Sequence, residues 1–181
     1  MNIFKRVIRY YRKHKYEYLF AWGANIKGEM FDAIIGRKPE LISNLVLNDY
    51  ELCIQTLQDV PTAEPNPRAI LQRAWGENFK SYAIRKRQGK SVSGALYKIT
   101  SYERKMVDAW ELVPEGWFVS KVVSIQNSEG REFKAHTQVL PPSHDSGKAV
   151  DGINYEPWIV PKEQLLRIAR TDSKRYPSYV Y

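Results

Sequence analysis

One short segment of this sequence joins an apolar strand, a glycine turn and the start of a helix. Residues Tyr18–Trp22 form an apolar run, Gly23 breaks it, and a helical pattern begins after Ile26. The backbone N–H groups of such a turn converge, and the helix N-terminus adds a partial positive charge. The segment therefore predicts an anion-binding turn, and a simple connection between two elements is the alternative interpretation of the same pattern.

The sequence is poor in residues for metal, nucleotide or nucleophilic chemistry. The histidines His14, His136 and His144 are not spaced with a second histidine or a cysteine, as metal ligands would be. Ser143, His144 and Asp145 are adjacent, whereas the members of a catalytic triad come from distant segments. Neither a phosphate-binding GxxxxGKS/T loop nor a GxGxxG turn is present. An enzyme with this sequence would therefore use carboxylates, backbone amides and binding, without a cofactor.

Composition indicates one globular domain. The chain has 181 residues, of which 43% are hydrophobic and 27% charged, values that exclude a wholly disordered chain. Cys53 is the only cysteine, so an intrachain disulfide is excluded. No apolar run is long enough to span a bilayer, and the N-terminus lacks the apolar segment of a secretory signal. We therefore expect a cytoplasmic protein without a transmembrane segment.

Most of the net charge of +8 comes from the N-terminal segment 1–16. Six of the 28 basic residues lie there without an acidic residue among the first sixteen, which leaves 22 basic and 20 acidic residues elsewhere. Residues 2–16 predict a basic amphipathic helix with an apolar stripe formed by Ile3, Phe4, Val7, Ile8 and Tyr11. This helix would either dock on an anionic membrane, nucleic acid or acidic partner, or pack its stripe on the rest of the protein. Because the remainder is nearly balanced in charge, nucleic acid is not expected as the main partner.

The patterns along the rest of the chain predict an α+β fold with a mixed or closed sheet. Helices are predicted at 27–35, ended by Gly36, from Thr100 or Ser101 to about Trp110, and from Pro161 onward. The segment 68–79 fits either a short helix or an irregular crossover. Strands are predicted at 43–47 and 50–55 around a turn at 48–49, at 81–87 and 91–99 around a turn at 88–90, and as a hairpin of 117–125 with 132–139.

Three segments, in this order, resemble motifs of the gamma-glutamylcyclotransferase-like superfamily. Tyr18–Ile26 is similar to its "YxFxYGSNL" signature, Val92–Ile99 to its "VxGxLY" strand, and Val107–Glu111 to its "LDxxEG" motif. The segment Pro161–Tyr181 also resembles the C-terminal helix and "GLPxxY" tail of that superfamily. The resemblance covers residues 17–181 as a single domain and leaves the basic helix 1–16 as an addition.

The resemblance implies a small mixed β-barrel flanked by helices, with one cavity and no cofactor. It implies that the α-amine of a γ-glutamyl compound attacks its own γ-carbonyl, which yields 5-oxoproline and releases an amine or amino acid. Glu111 would be the catalytic general base and then general acid. The substrate-binding positions would be Trp22, Gly23, Ala24, Asn25, Ile26 and Phe118, mainly through backbone amides of the turn.

Several positions depart from the superfamily pattern. Ala24 stands where the superfamily has Ser, Trp22 where it has Tyr, and Leu112 where it has Gly. Phe118 and Gln138 stand at two further Tyr positions. Contacts made by the backbone would survive these changes, whereas side-chain contacts to the substrate would not. The alternative hypothesis is therefore a non-catalytic binding module on the same fold, attached to an anionic partner by its basic helix.

Overall fold

The structure, a computed structural model, describes residues 15–172, which form one six-stranded mixed sheet with flanking helices. The strands are β1 (Tyr16–Ala21), β2 (Glu40–Thr56), β3 (Lys80–Thr100), β4 (Val119–Gln126), β5 (Glu132–Val139) and β6 (Lys148–Ala149). The helices are α1 (Gly28–Ile35), α2 (Pro67–Trp75), α3 (Ser101–Trp110) and α4 (Lys162–Asp172). Residues 1–14 of the predicted basic helix and the tail 174–181 lie outside the described residues.

The strand order is β4-β5-β1-β3-β2-β6, in which β1 and β5 are parallel and the other neighbours are antiparallel. The sheet curls into a half-barrel. Just after β5, the N–H of Leu140 donates to the carbonyl of Ile84 on β3, 2.8 Å away, which helps to bend the sheet. The predicted α+β class with a small, mixed, barrel-like sheet is thus confirmed.

Strand β1 contributes to two hydrophobic cores because it is buried on both faces. Phe20 and Trp22 join the core inside the curl, whereas Leu19 and Ala21 join the core beneath the helices. Successive side chains of a strand point to opposite faces. A strand covered on both faces therefore has a continuous apolar sequence, without the alternation of a half-exposed strand.

Gly94 lets β3 approach β1 closely. A Cβ atom at this position would lie 2.4 Å from both the carbonyl oxygen of Ala21 and the Cζ atom of Phe20. Any larger residue would therefore push apart the two strands that carry the first two motifs. The glycine of the "VxGxLY" resemblance has this packing role.

The two turns predicted within β2 and β3 are wrong. Residues 48–49 and 88–90 lie within two long, paired strands, whose register shifts between Asn48 and Tyr50. Asp49 has φ 62°, and its Oδ1 accepts a hydrogen bond from the N–H of Gly89 at 3.0 Å. Asp and Gly tolerate positive φ, so these residues form a bulge, which the sequence cannot distinguish from a hairpin turn.

Three other boundaries differ from the predictions. Tyr16 pairs with Thr100 in β1, so the last residue of the predicted N-terminal helix belongs to the sheet. The ambiguous segment 68–79 begins as helix α2, where Asn66 accepts a hydrogen bond from the Ala69 N–H at 3.0 Å. The strand predicted from residue 117 begins at Val119.

The predicted helix ends of α1 and α3 are confirmed. Gly36 ends α1 in the left-handed conformation, with φ 78°, and its N–H donates to Asp32. Thr100 and Glu103 form a capping box at the start of α3. Among residues 15–172, no helix is long and apolar enough to cross a membrane.

Candidate active site

A cavity of about 490 Å³ lies between the turn after β1, the end of α3 and helices α2 and α4. Gly23, Ala24 and Asn25 of the turn form one wall, and Glu111 with Leu112 forms the next. Aromatic and apolar side chains line the remainder, among them Leu71, Trp75, Phe79, Trp117, Leu165 and Ile168. This combination of an apolar pocket and a few polar groups is typical of a small-molecule site.

Glu111 is a buried carboxylic acid at the end of α3. Its residue is 7% exposed, and the side-chain amide of Asn25 donates to its Oε1 at 2.6 Å. The pKa of Glu111 is raised to about 7. Burial is the largest cause of this increase, the negative charge of Asp108 adds to it, and the hydrogen bond from Asn25 opposes it. Helix C-termini also disfavour negative charge. Glu111 can therefore gain and lose a proton near neutral pH.

The end of α3 is a Schellman motif that holds Glu111 at the C-cap. The N–H of Val113 donates to the Asp108 carbonyl at 2.9 Å, and the N–H of Leu112 donates to the Ala109 carbonyl at 3.1 Å. Leu112 has φ 51°, in the left-handed region that glycine adopts most easily. Leu112, which stands where the "LDxxEG" motif has Gly, therefore has a backbone conformation that favours glycine, and its side chain is buried at 6% exposure.

A polar network lies behind Glu111 on the side of the sheet. Asp108 accepts a hydrogen bond from the Gln138 side-chain amide at 2.8 Å and forms an ion pair with Arg104. Arg104 also donates to Glu17 on β1 at 2.9 Å. Gln138 is therefore a buried structural partner of Asp108 and does not line the cavity. The superfamily pattern has Tyr at this position. In this chain the Gln138 side chain contacts Asp108 of α3 and is absent from the cavity wall.

The turn after β1 is held by a tyrosine that is distant in sequence. The Gly23 N–H donates to the Tyr155 hydroxyl at 3.1 Å, and that hydroxyl donates to the Ser93 carbonyl at 2.8 Å. Burial raises the pKa of Tyr155 to about 12, so the phenol stays protonated. Gly23 has φ 57°, a left-handed conformation that glycine adopts without strain. Within the protein, the Gly23 amide is thus already paired.

The structure brings five of the seven predicted site residues to the cavity. The five are Trp22, Gly23, Ala24, Asn25 and Glu111.

Ile26 and Phe118 lie outside the cavity lining. The Ile26 carbonyl accepts a hydrogen bond from the Tyr97 hydroxyl at 2.8 Å, on the side of α1. Phe118 is fully buried between the rings of Trp22 and Trp117. Its neighbour Trp117 lines the cavity, and Phe118 packs behind that ring, with 4.5 Å between the two ring centroids. The predicted substrate contact of Phe118 is therefore corrected to a packing role.

Solved structures share this architecture at low sequence identity. A protein solved as gamma-glutamyl cyclotransferase superposes with a TM-score of 0.58 and 16% identity over 91% of this chain and 84% of that one. An uncharacterised human protein gives 0.55 and 17% over 74% of this chain and 69% of that one. YkqA from Bacillus subtilis gives 0.51 and 15% over 97% of this chain and 58% of that one. The chain has the gamma-glutamylcyclotransferase-like fold. No protein-family model and no curated protein matches its sequence.

Sequence reasoning missed three residues that lie in or directly behind the site. Asp108 lies three residues before Glu111 in the "LDxxEG" resemblance, so its buried position could have been suspected. Tyr155 lies in an irregular segment without a pattern that connects it to Gly23. Glu115 follows Pro114 in a turn, where a solvated side chain is the ordinary expectation, yet it lines the cavity. Chain folding alone brings Tyr155 and Glu115 to the site.

Within residues 15–172, no three His, Cys, Asp or Glu side chains are grouped to hold a metal. Ser143 and His144 do contact each other, with 3.0 Å between Oγ and Nδ1. The other ring nitrogen of His144 donates to the Trp117 carbonyl at 2.9 Å, so no carboxylate orients this histidine. Neither residue lines the cavity.

Proposed function

We propose that this protein is a cyclotransferase that converts a γ-glutamyl compound into 5-oxoproline and a free amine or amino acid. The observation that carries the proposal is the buried carboxyl group of Glu111, paired with Asn25 in the wall of an apolar cavity. The likeness of the fold to gamma-glutamyl cyclotransferase supports the same activity. A small molecule with a γ-glutamyl group is then the substrate, and no cofactor takes part.

The proposed reaction requires one group that first accepts and then donates a proton. The α-ammonium of the substrate is not nucleophilic until Glu111 removes a proton. The free amine then forms a bond to the γ-carbonyl carbon, and the bond from that carbon to the leaving nitrogen breaks. The attacking nitrogen loses a second proton as the ring forms. Glu111 passes the two protons in turn to the leaving nitrogen, which departs as an ammonium ion, so the ring nitrogen keeps one hydrogen and no water or electron is consumed. A pKa of about 7 suits both steps at neutral pH.

The turn after β1 would position the reacting groups. Asn25 holds one carboxylate oxygen of Glu111, so the second oxygen is left for the substrate amine. The backbone amides of Ala24 and Asn25, both in the cavity wall, would bind the substrate carboxylate or the developing negative charge on the carbonyl oxygen. The Gly23 amide takes no direct part because Tyr155 occupies it. Ala24 in place of Ser is compatible with this use of backbone groups.

The test is 5-oxoproline release from a panel of γ-glutamyl amines and γ-glutamyl amino acids, measured by mass spectrometry. We expect release by the wild-type protein and a loss of 100-fold or more, on the order of a general base, in Glu111→Gln. The matched control is Glu132→Gln, which changes an exposed carboxylate on β5 and should leave the rate unaltered. Undiminished release by Glu111→Gln would remove this residue from the mechanism.

The second candidate function is a binding module for a carboxylate-bearing ligand. It is favoured by the Tyr155 hydroxyl, which already satisfies one amide of the turn, and by the loss of the Ser hydroxyl at Ala24. Isothermal titration with 5-oxoproline and γ-glutamyl compounds separates the candidates. Binding without 5-oxoproline release on prolonged incubation supports the module, and neither binding nor release rejects both functions for those ligands.

A further inference from the structure

A second carboxylate, Glu115, lines the cavity that contains Glu111. It follows the Schellman turn at the end of α3, four residues after Glu111. Its Oε2 atom is buried and has no hydrogen-bond partner among the described residues. Burial also raises the pKa of Glu115. A buried, unpaired carboxylate oxygen is costly, and a ligand bound in the cavity would supply the missing partner.

The basic side chains of the cavity do not supply that partner. Arg73, Lys80 and Arg167 line the cavity, but all three are exposed residues and none donates to Glu115. They lie on α2, β3 and α4, and the acidic Asp172 at the end of α4 also lines the cavity. When ionised, the buried oxygen of Glu115 is an acceptor only. The missing partner is therefore a donor, and a carboxylate favours a cationic donor over a neutral one.

The proposed reaction limits which part of the substrate can supply this cation. The α-ammonium of the γ-glutamyl group must lose its proton to react. A carboxylate beside it would raise its pKa and oppose that loss. A cation that stays protonated throughout the reaction must instead belong to the leaving group.

We propose that Glu115 is the specificity residue for a positively charged leaving group, so that the preferred substrates are γ-glutamyl derivatives of diamines or other amines with a second cationic centre. This inference rests on the proposed cyclotransferase function. It assigns the chemistry to Glu111 and the choice of substrate to Glu115. The apolar wall formed by Leu71, Trp75 and Phe79 would contact the methylene chain between the two nitrogens.

The experiment compares three γ-glutamyl amides that differ only at the far end of the leaving amine. Diaminobutane places an ammonium there, pentylamine a methyl group and aminopentanoate a carboxylate. We expect the wild-type protein to process the diaminobutane compound with a kcat/KM about 10-fold or more above that of the pentylamine compound. In Glu115→Gln this ratio should fall close to one, because kcat/KM for the diaminobutane compound drops. Glu132→Gln is the control and should keep the wild-type ratio.

A binding measurement separates failure of this inference from failure of the proposed function. In the Glu111→Gln background, the diaminobutane compound should bind about 10-fold more tightly than the pentylamine compound, and adding Glu115→Gln should remove the difference. If none of the compounds is turned over, the proposed function fails, and the binding ratio still decides the role of Glu115. Equal kcat/KM values, equal affinities, or a cation preference that survives Glu115→Gln would overturn the inference.

Discussion

At the scale of single residues, the carboxyl group of Glu111 is under opposing influences. Burial and the charge of Asp108 favour its protonated form, whereas the Asn25 amide favours the carboxylate. The balance brings the pKa to about 7, far above the ordinary 4.5 of a glutamic acid. A group tuned in this way is useful to a proton-transfer reaction and unfavourable for stability above neutral pH.

We predict that Glu111→Gln stabilises the protein at alkaline pH. Because the pKa is raised on folding, the folded state binds the proton more tightly than the unfolded state. The free energy of unfolding is therefore highest below about 4.5 and falls as pH rises through about 7. Glutamine lacks this titration, so the variant should gain on the order of 1–3 kcal/mol relative to wild type between pH 5 and pH 8. Urea denaturation at both pH values measures the difference, and a gain independent of pH would contradict the prediction.

At the scale of secondary-structure elements, the site depends on how two segments end. Helix α3 stops at Glu111 through its Schellman motif, and the turn after β1 is held against β3 by Tyr155. The Schellman motif and the Tyr155 contacts hold the backbone on either side of the Asn25–Glu111 hydrogen bond. The geometry of this pair therefore depends on contacts away from the cavity.

We predict that Leu112→Gly is more stable than Leu112→Ala. Both variants lose the buried leucine side chain and should be destabilised relative to wild type by about 2 kcal/mol or more. At φ 51°, however, glycine avoids the left-handed strain that alanine retains, a difference of about 1 kcal/mol. This order is the reverse of the usual one for helices. Chemical denaturation of the two variants provides the measurement, and a more stable alanine variant would contradict it.

We predict that Tyr155→Phe destabilises the protein by about 1–3 kcal/mol because the Gly23 N–H and the Ser93 carbonyl lose their common partner. Amide hydrogen exchange should show the largest loss of protection in the turn Gly23–Ile26. The control is Tyr16→Phe, whose ring is 61% exposed and whose replacement should change the free energy of unfolding by less than about 0.5 kcal/mol. Unchanged protection of the turn would show that its conformation does not depend on the hydroxyl.

At the scale of the whole molecule, the positive charge is concentrated in a segment attached to the first strand of the sheet. Five of the six basic residues of the N-terminal segment precede residue 15. The carbonyl of Lys15 accepts a hydrogen bond from the Ser101 N–H at 2.8 Å, at the start of α3. A truncated protein that lacks the basic segment should therefore begin at Lys15, so that the hydrogen bond between Lys15 and Ser101 is kept.

We predict that deleting residues 1–14 abolishes binding to vesicles that contain anionic lipids and leaves the unfolding temperature of the domain nearly unchanged. Full-length protein should bind such vesicles more weakly as salt is increased, because ions screen the attraction. Vesicles of zwitterionic lipid are the control. Binding that persists after the deletion would assign the contact to another surface, and absence of binding by the full chain would favour packing of the segment on the domain.

Local sequence determined the elements whose signals are local. The Thr100–Glu103 capping box, the Gly36 helix end and the hairpin of β4 with β5 depend on neighbouring residues, and each was predicted. The continuous pairing of β2 with β3 was not predicted, because Asp49 and Gly89 carry the same signal in a bulge as in a turn. The resemblance of three short motifs to one superfamily indicated the fold, and it was the basis for predicting Glu111 as the catalytic residue.

Only the tertiary structure decided what surrounds those residues. The sequence alone brought attention to Glu111 and to the glycine turn, whereas folding placed Asn25 on the carboxylate, Tyr155 on the Gly23 amide and Phe118 in the core. These contacts join residues up to 132 positions apart, and their formation depends on how the sheet curls. Burial and pairing are properties of the assembled core. A pKa, an occupied amide or an unpaired oxygen therefore cannot be derived from the order of residues along the chain.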